Sequence, residues 1–132
     1  MNDQPADVGL CFVDFLRMDA GGIAALFDTD WRATKLDPGF LSECVQRFAS
    51  LQEPQLVFAI EIGAFHQPEL FLPLIVPLLE DRRASVWTAV TRALDQTKSL
   101  DADTMRLIEL HANRATIDMR EWLPQWRAKV NV

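Results

Sequence analysis

At 132 residues, with 49% apolar and 24% charged residues, the chain has the length and composition of one folded globular domain. Its longest apolar run contains residues 71–79 and two prolines, far short of the roughly 20 residues that span a bilayer, and the opening MNDQPADVG is polar and acidic, unlike a secretory or transit leader. A formal net charge of −6 disfavours general nucleic-acid binding, and a cytoplasmic address follows by elimination.

In chain order, residues 6–18 read as a first helix, with Val8, Phe12, Phe15 and Leu16 at helical spacing and Asp14 and Arg17 toward solvent. Asp19-Ala-Gly-Gly is expected to end it, because paired glycines favour turns. A second helix over residues 22–34 places Ile23, Leu26, Phe27 and Trp31 on one side, with Asp28 and Asp30 flanking. Asp37-Pro38 reads as the start of a third, since aspartate caps free amides and proline suits the first helical position. Its apolar stripe is Phe40, Leu41, Cys44, Val45 and Phe48.

Glu53-Pro54 opens a fourth helix, apolar on nearly every side and therefore expected to be central. Gly63 within it costs about 1 kcal/mol relative to alanine, which close contact with a neighbouring helix would explain. Gln67-Pro68 begins a fifth helix running to Leu79, where Pro73 and Pro77 predict a kink or a helix that truly begins late. After the charged elbow Glu80-Asp81-Arg82-Arg83, residues 84–97 form a sixth that buries Val86, Ala89, Val90, Ala93 and Leu94. A seventh carries Met105, Ile108, Leu110 and Ala112. Thr116 is placed to cap a last helix holding Trp122 and Trp126, which Pro124 bends or divides. No segment alternates with period two over strand length, so the fold class is all-α, with about seven to eight helices.

An internal repeat is visible. FLSECVQRF from Phe40 matches FLPLIVPLL from Phe71 at a shift of 31, and LVFAIEIGA from Leu56 matches VWTAVTRAL from Val86 at a shift of 30. In Leu78-Leu79-Glu80-Asp81, followed by Val86, Ala89 and Ala93-Leu94, the central half of the chain resembles the HEAT-like repeat family, although Trp87 stands where that family usually has arginine. The resemblance implies a single helical-repeat domain over residues 1–132, a short right-handed α-solenoid of antiparallel helix pairs, and partner binding. Stacked hairpins would line a concave strip with Phe58, Glu61, Ile62 and Phe65 from one helix and Thr88, Thr91, Arg92 and Asp95 from another.

Catalytic patterns are nearly absent: there is no Gly-x-Ser-x-Gly, phosphate-cradling glycine loop, His-Glu-x-x-His or Cys-x-x-Cys. Cys11 and Cys44 read as small buried hydrophobes, and His66 and His111 have no cysteine partners for zinc. Asp101, Asp103 and Glu109 lack the spacing of a calcium loop. No enzymatic activity, cofactor or metal is expected. Charge is uneven: residues 1–81 hold 13 Asp/Glu against 4 Lys/Arg, and residues 82–132 hold 6 against 9.

An acidic surface favours a basic protein partner. In size, charge and architecture the chain resembles the bacterial immunity proteins that neutralise toxin domains, which implies that Asp28, Asp30, Asp37, Glu43, Glu53 and Glu61 cover the cleft of a basic, nuclease-like domain while aromatics anchor the complex. Alternatively, the repeat serves as an adaptor or scaffold, dimerising through its tryptophan-bearing tail. A third possibility is an enzyme using Glu61, whose pKa burial in an apolar helix would raise.

Overall fold

Residues 9–130 are described by a computed structural model, and among them there are eight α-helices, three short 3-10 segments and no β-strand. They fall into two units, divided between Ile62 and Gly63. No helix among the described residues is long and apolar enough to cross a membrane.

The first unit contains α1 (Phe12–Arg17), α2 (Ala20–Phe27), a 3-10 turn (Trp31–Ala33), α3 (Phe40–Gln46), a second 3-10 turn (Phe48–Ser50) and the larger part of α4 (Glu53–His66). Among the described residues α1 begins at Phe12, six residues later than expected, and Val8 lies outside them. Gly9 and Leu10 are instead extended: the Leu10 N–H donates to Lys35 O at 2.8 Å and the Asp37 N–H donates to Leu10 O at 3.0 Å. Gly9 lies so close to the backbone of Leu36 and Asp37 that a Cβ there would meet it at 2.8 Å.

The paired glycines do not end α1. They form the first turn of α2, where Asp19 Oδ1 accepts from the Gly22 N–H at 2.8 Å and satisfies an amide that has no helical partner. Asp37-Pro38 precedes α3 without opening it. Gly39, at φ 86°, is the N-cap, a left-handed conformation that favours glycine.

Aromatic rings fill this unit. Phe15 meets Phe40 edge-on at 5.1 Å between centroids, and Phe58 contacts Phe15, Phe27 and Trp31 at 5.8, 5.2 and 6.3 Å. Buried Gln55 donates its amide to Met18 O at 2.6 Å and Phe15 O at 3.3 Å, closing the end of α1. Cys44 is fully buried, and desolvation, with Glu43 second, pushes its thiol up to about 12. Disulfide-exchange reagent at neutral pH is therefore expected to modify Cys44 only after denaturation; rapid labelling of the native protein at Cys44, mapped by mass spectrometry, would contradict the burial.

The second unit holds the end of α4, α5 (Pro68–Ile75), its 3-10 continuation (Val76–Glu80), α6 (Ala84–Gln96), α7 (Ala102–Arg114) and α8 (Leu123–Arg127). Pro73 and Pro77 interrupt the fifth helix differently from expected: it starts at Pro68, the α-helical ladder stops at Ile75 instead of Leu79, and the chain continues as a tighter 3-10 turn. That segment packs against α6 and α7, and Phe71, Ile75, Val76, Leu79, Val86, Val90, Leu94 and Ile108 are completely or almost completely buried.

Gly63 is explained here. A Cβ built on it would come within 2.2 Å of ring carbons of buried Phe71, the close helix contact that its position in α4 suggested. Thr116 caps no helix; α8 begins at Leu123 with Pro124 in its first turn. Trp126 is wholly buried, stacks on Trp122 at 6.4 Å and donates its indole N–H to Asp95 Oδ1 at 2.9 Å. The tail therefore docks on α6 rather than presenting a tryptophan pair to a second copy. Lys129 completes it, donating through Nζ to the carbonyls of Leu94 at 2.8 Å and of Asp95, so an ammonium caps the C-terminal end of α6.

Candidate functional site

The residues expected to contact a partner separate by burial. In the first unit, Asp28 follows α2 and Asp30 precedes the 3-10 turn at Trp31, and both are exposed. Glu53, in the first turn of α4, is also exposed, whereas Asp37 and Glu43 are half-buried around the start of α3. Phe58 and Glu61 do not belong on a docking surface. Phe58 is the hub of the aromatic core, at 0% exposure, and Glu61 is 5% exposed, because the α4 residues around it, from Phe58 to Ala64, are all buried. Glu61 is not an isolated charge but interacts with a neighbour inside the protein.

In the second unit, Phe65 is half exposed, with its ring edge against His66 at 5.0 Å. Thr91 is buried, and its hydroxyl donates to Thr88 O at 2.7 Å, so it serves the helix and offers nothing outward. Thr88, Arg92 and Asp95 share one side of α6 by spacing, but one Asp95 carboxylate oxygen is already committed to Trp126. The expected strip thus loses Phe58, Glu61, Ile62 and Thr91 to the interior.

Division of the chain at Ile62 sharpens the electrostatics. Residues 1–62 hold 10 Asp/Glu against 4 Lys/Arg, a balance of −6, while residues 63–132 hold 9 against 9. The entire net charge belongs to the first unit. Exposed Asp14, Asp28 and Asp30 have no ion-pair partner among the described residues. Two of the four cations there lie over rings, Arg32 over Trp31 at 4.5 Å and Arg47 over Phe12 at 5.9 Å.

The second unit neutralises itself locally. Arg83 holds Asp81 at 2.9 Å, Arg120 holds Asp118 at 2.8 Å, Arg127 holds Glu109 at 2.5 Å, and Arg106 pairs with Asp103. Hydrogen bonds from Arg120 bring the Asp118 carboxyl down to about 2, and the Arg83 side chain lowers that of Asp81. His111 Nδ1 and Glu80 Oε2 lie 2.5 Å apart. The arginines that make the carboxy-terminal part basic by count are therefore largely engaged with their own acids.

Two features escaped the sequence reading. Leu16, assigned to the buried stripe of α1, is 41% exposed, and Val13, three residues before it, is 56% exposed beside Asp14. A narrower stripe, Phe12 and Phe15 alone, would have placed both outside. Neither of two open cavities in the second unit is lined by a residue of the expected strip. One of about 360 Å³ lies between the starts of α5 and α7, over Leu72 and Leu100, and one of about 280 Å³ lies beside Asn113 and Arg120. Among the described residues no group of three or more His, Cys, Asp and Glu side chains is arranged to hold a metal ion. No protein-family model, curated protein or solved structure matches the chain.

Proposed function

We propose that this is a cytoplasmic, non-enzymatic protein-binding module whose acidic first unit covers a basic surface of another protein, as an immunity-type inhibitor covers the cleft of a nuclease-like toxin domain. The observation that carries the proposal is the charge partition: all six net negative charges fall within residues 1–62, and the remainder balances. A concentrated field of one sign attracts a complementary surface and rejects like-charged competitors. Val13 and Leu16, exposed beside Asp14, supply apolar contact of the kind that anchors such complexes. The sequence repeat supports treating the hairpins as successive units of a HEAT-like right-handed α-solenoid, an architecture suited to binding.

Immobilised full-length chain should retain a basic protein that salt releases, identifiable by mass spectrometry. With that protein in hand, Asp14→Lys, Asp28→Lys and Asp30→Lys combined should weaken affinity roughly tenfold or more and flatten its salt dependence. Glu121→Lys, an exposed reversal in the second unit, should have little effect. A triple variant that binds as tightly as the wild type, with the same salt dependence, would overturn the assignment.

A further inference from the structure

The outer face of α5 and its 3-10 continuation is nearly as apolar as the inner one. Phe71, Leu72, Ile75, Val76 and Leu79 point into the unit, yet the remaining positions are not the polar residues that a surface helix usually turns to water. Leu70 is 45% exposed, Pro73 and Pro77 are exposed, and Leu74 and Leu78 are half-buried. Glu69 is the one charged residue between Pro68 and Leu79. At 1.5 Å per α-helical and 2.0 Å per 3-10 residue, the strip is about 22 Å long.

Its ends carry opposite charges. Glu69 stands in the first turn of α5, and Arg82 follows the 3-10 segment by two residues. Both are exposed, and neither has an ion-pair partner among the described residues. The other charges at that end are occupied, Asp81 with Arg83 and Glu80 with His111.

We infer that this strip is the docking surface for a second copy of the same chain, with the two strips antiparallel about a twofold axis. A twofold interface requires a patch complementary to itself. Antiparallel pairing centred between Ile75 and Val76 sets Pro73 against the partner's Leu78 and Leu74 against the partner's Pro77. It also brings Glu69 to the partner's Arg82, twice by symmetry. Parallel pairing would set Glu69 beside the partner's Glu69 and Arg82 beside the partner's Arg82, which like-charge repulsion disfavours. The strip, about 22 Å by one helix width, is smaller than the roughly 800 Å² per partner of a standard interface, so association is weak, in the micromolar range. The strip and its two flanking charges all belong to the second unit, so the inference does not rest on the acidic-surface proposal.

Sedimentation equilibrium of the full chain from about 1 to 300 µM is the test. The mass should rise from 15.0 kDa toward twice that value. Leu70→Glu, at an exposed position, should raise the dimer dissociation constant by roughly tenfold or more, as should Glu69→Arg and Arg82→Glu singly, while the Glu69→Arg/Arg82→Glu double variant should restore association. Circular dichroism of each variant checks that the helices are retained, and the charge-swap series stands even if Leu70→Glu fails to fold. A monomer at every concentration, as expected if a different protein covers the strip, would overturn the inference. So would a dimer that Leu70→Glu leaves intact, or a double variant no better than the single ones.

Discussion

Gly63→Ala is expected to destabilise the protein by about 3 kcal/mol, lowering its melting temperature by roughly 10 °C. Helix propensity alone predicts the opposite, a gain of about 1 kcal/mol for replacing an interior glycine. Packing decides the sign: the added methyl group would occupy the space of the Phe71 ring, which is fully buried and cannot swing into water. A double-mutant cycle isolates the cause. Phe71→Ala should itself be costly, but in that background Gly63→Ala should become neutral or mildly stabilising. If urea denaturation showed Gly63→Ala to be as stable as the wild type with Phe71 in place, the close helix approach would be wrong.

Trp126→Ala should have a similar or larger effect, about 3–5 kcal/mol, because the substitution empties a large, fully buried site. It also removes the stack on Trp122 and leaves Asp95 without its indole donor. Trp126→Phe retains much of the apolar volume and should recover part of the loss, separating the ring's contribution from that of the hydrogen bond. Stability within about 1 kcal/mol of wild type for Trp126→Ala would indicate an undocked tail and return the tryptophans to consideration as a recognition pair.

Helix existence was legible wherever local chemistry determined it. Glu53-Pro54 and Gln67-Pro68 mark the starts of α4 and α5, and Pro73 and Pro77 mark the change to a 3-10 turn, since a missing amide and a fixed φ act within one turn of the chain. Boundaries set by distant partners were not legible. The extended segment at Gly9 and Leu10 depends on backbone pairing with Lys35 and Asp37, and that pairing engages the residue expected to start α3. The paired glycines misled for a related reason: low helix propensity matters less in a first turn whose free amide is capped by Asp19.

For the candidate surface, composition located the acids but could not determine burial. Asp28 and Asp30 are exposed, whereas Glu61 and Thr91 are interior, and nothing in the type or spacing of a polar residue reveals which side chains a neighbouring helix will cover. The repeat match compounded this. It equated Glu61 with Thr91 and placed both on a binding strip, but both are buried. Leu70 and Arg82 lay in the fifth helix and the charged elbow after it, where neither was marked as a surface residue of interest. A helix buried on all sides and one with an uncovered apolar face have the same sequence signature.

The placement of the whole net charge in one unit has a kinetic consequence. A uniformly charged particle accelerates encounter without regard to orientation, but a molecule charged within one segment experiences a torque as well as an attraction near a cationic surface. With the basic partner proposed above, association would be expected to exceed the 10⁵–10⁶ M⁻¹s⁻¹ typical of unsteered proteins, reaching on the order of 10⁸ M⁻¹s⁻¹ at low salt. In that proposed complex the lifetime would depend on the short-range contacts that follow, so the exposed acids would govern arrival and the apolar side chains beside them departure.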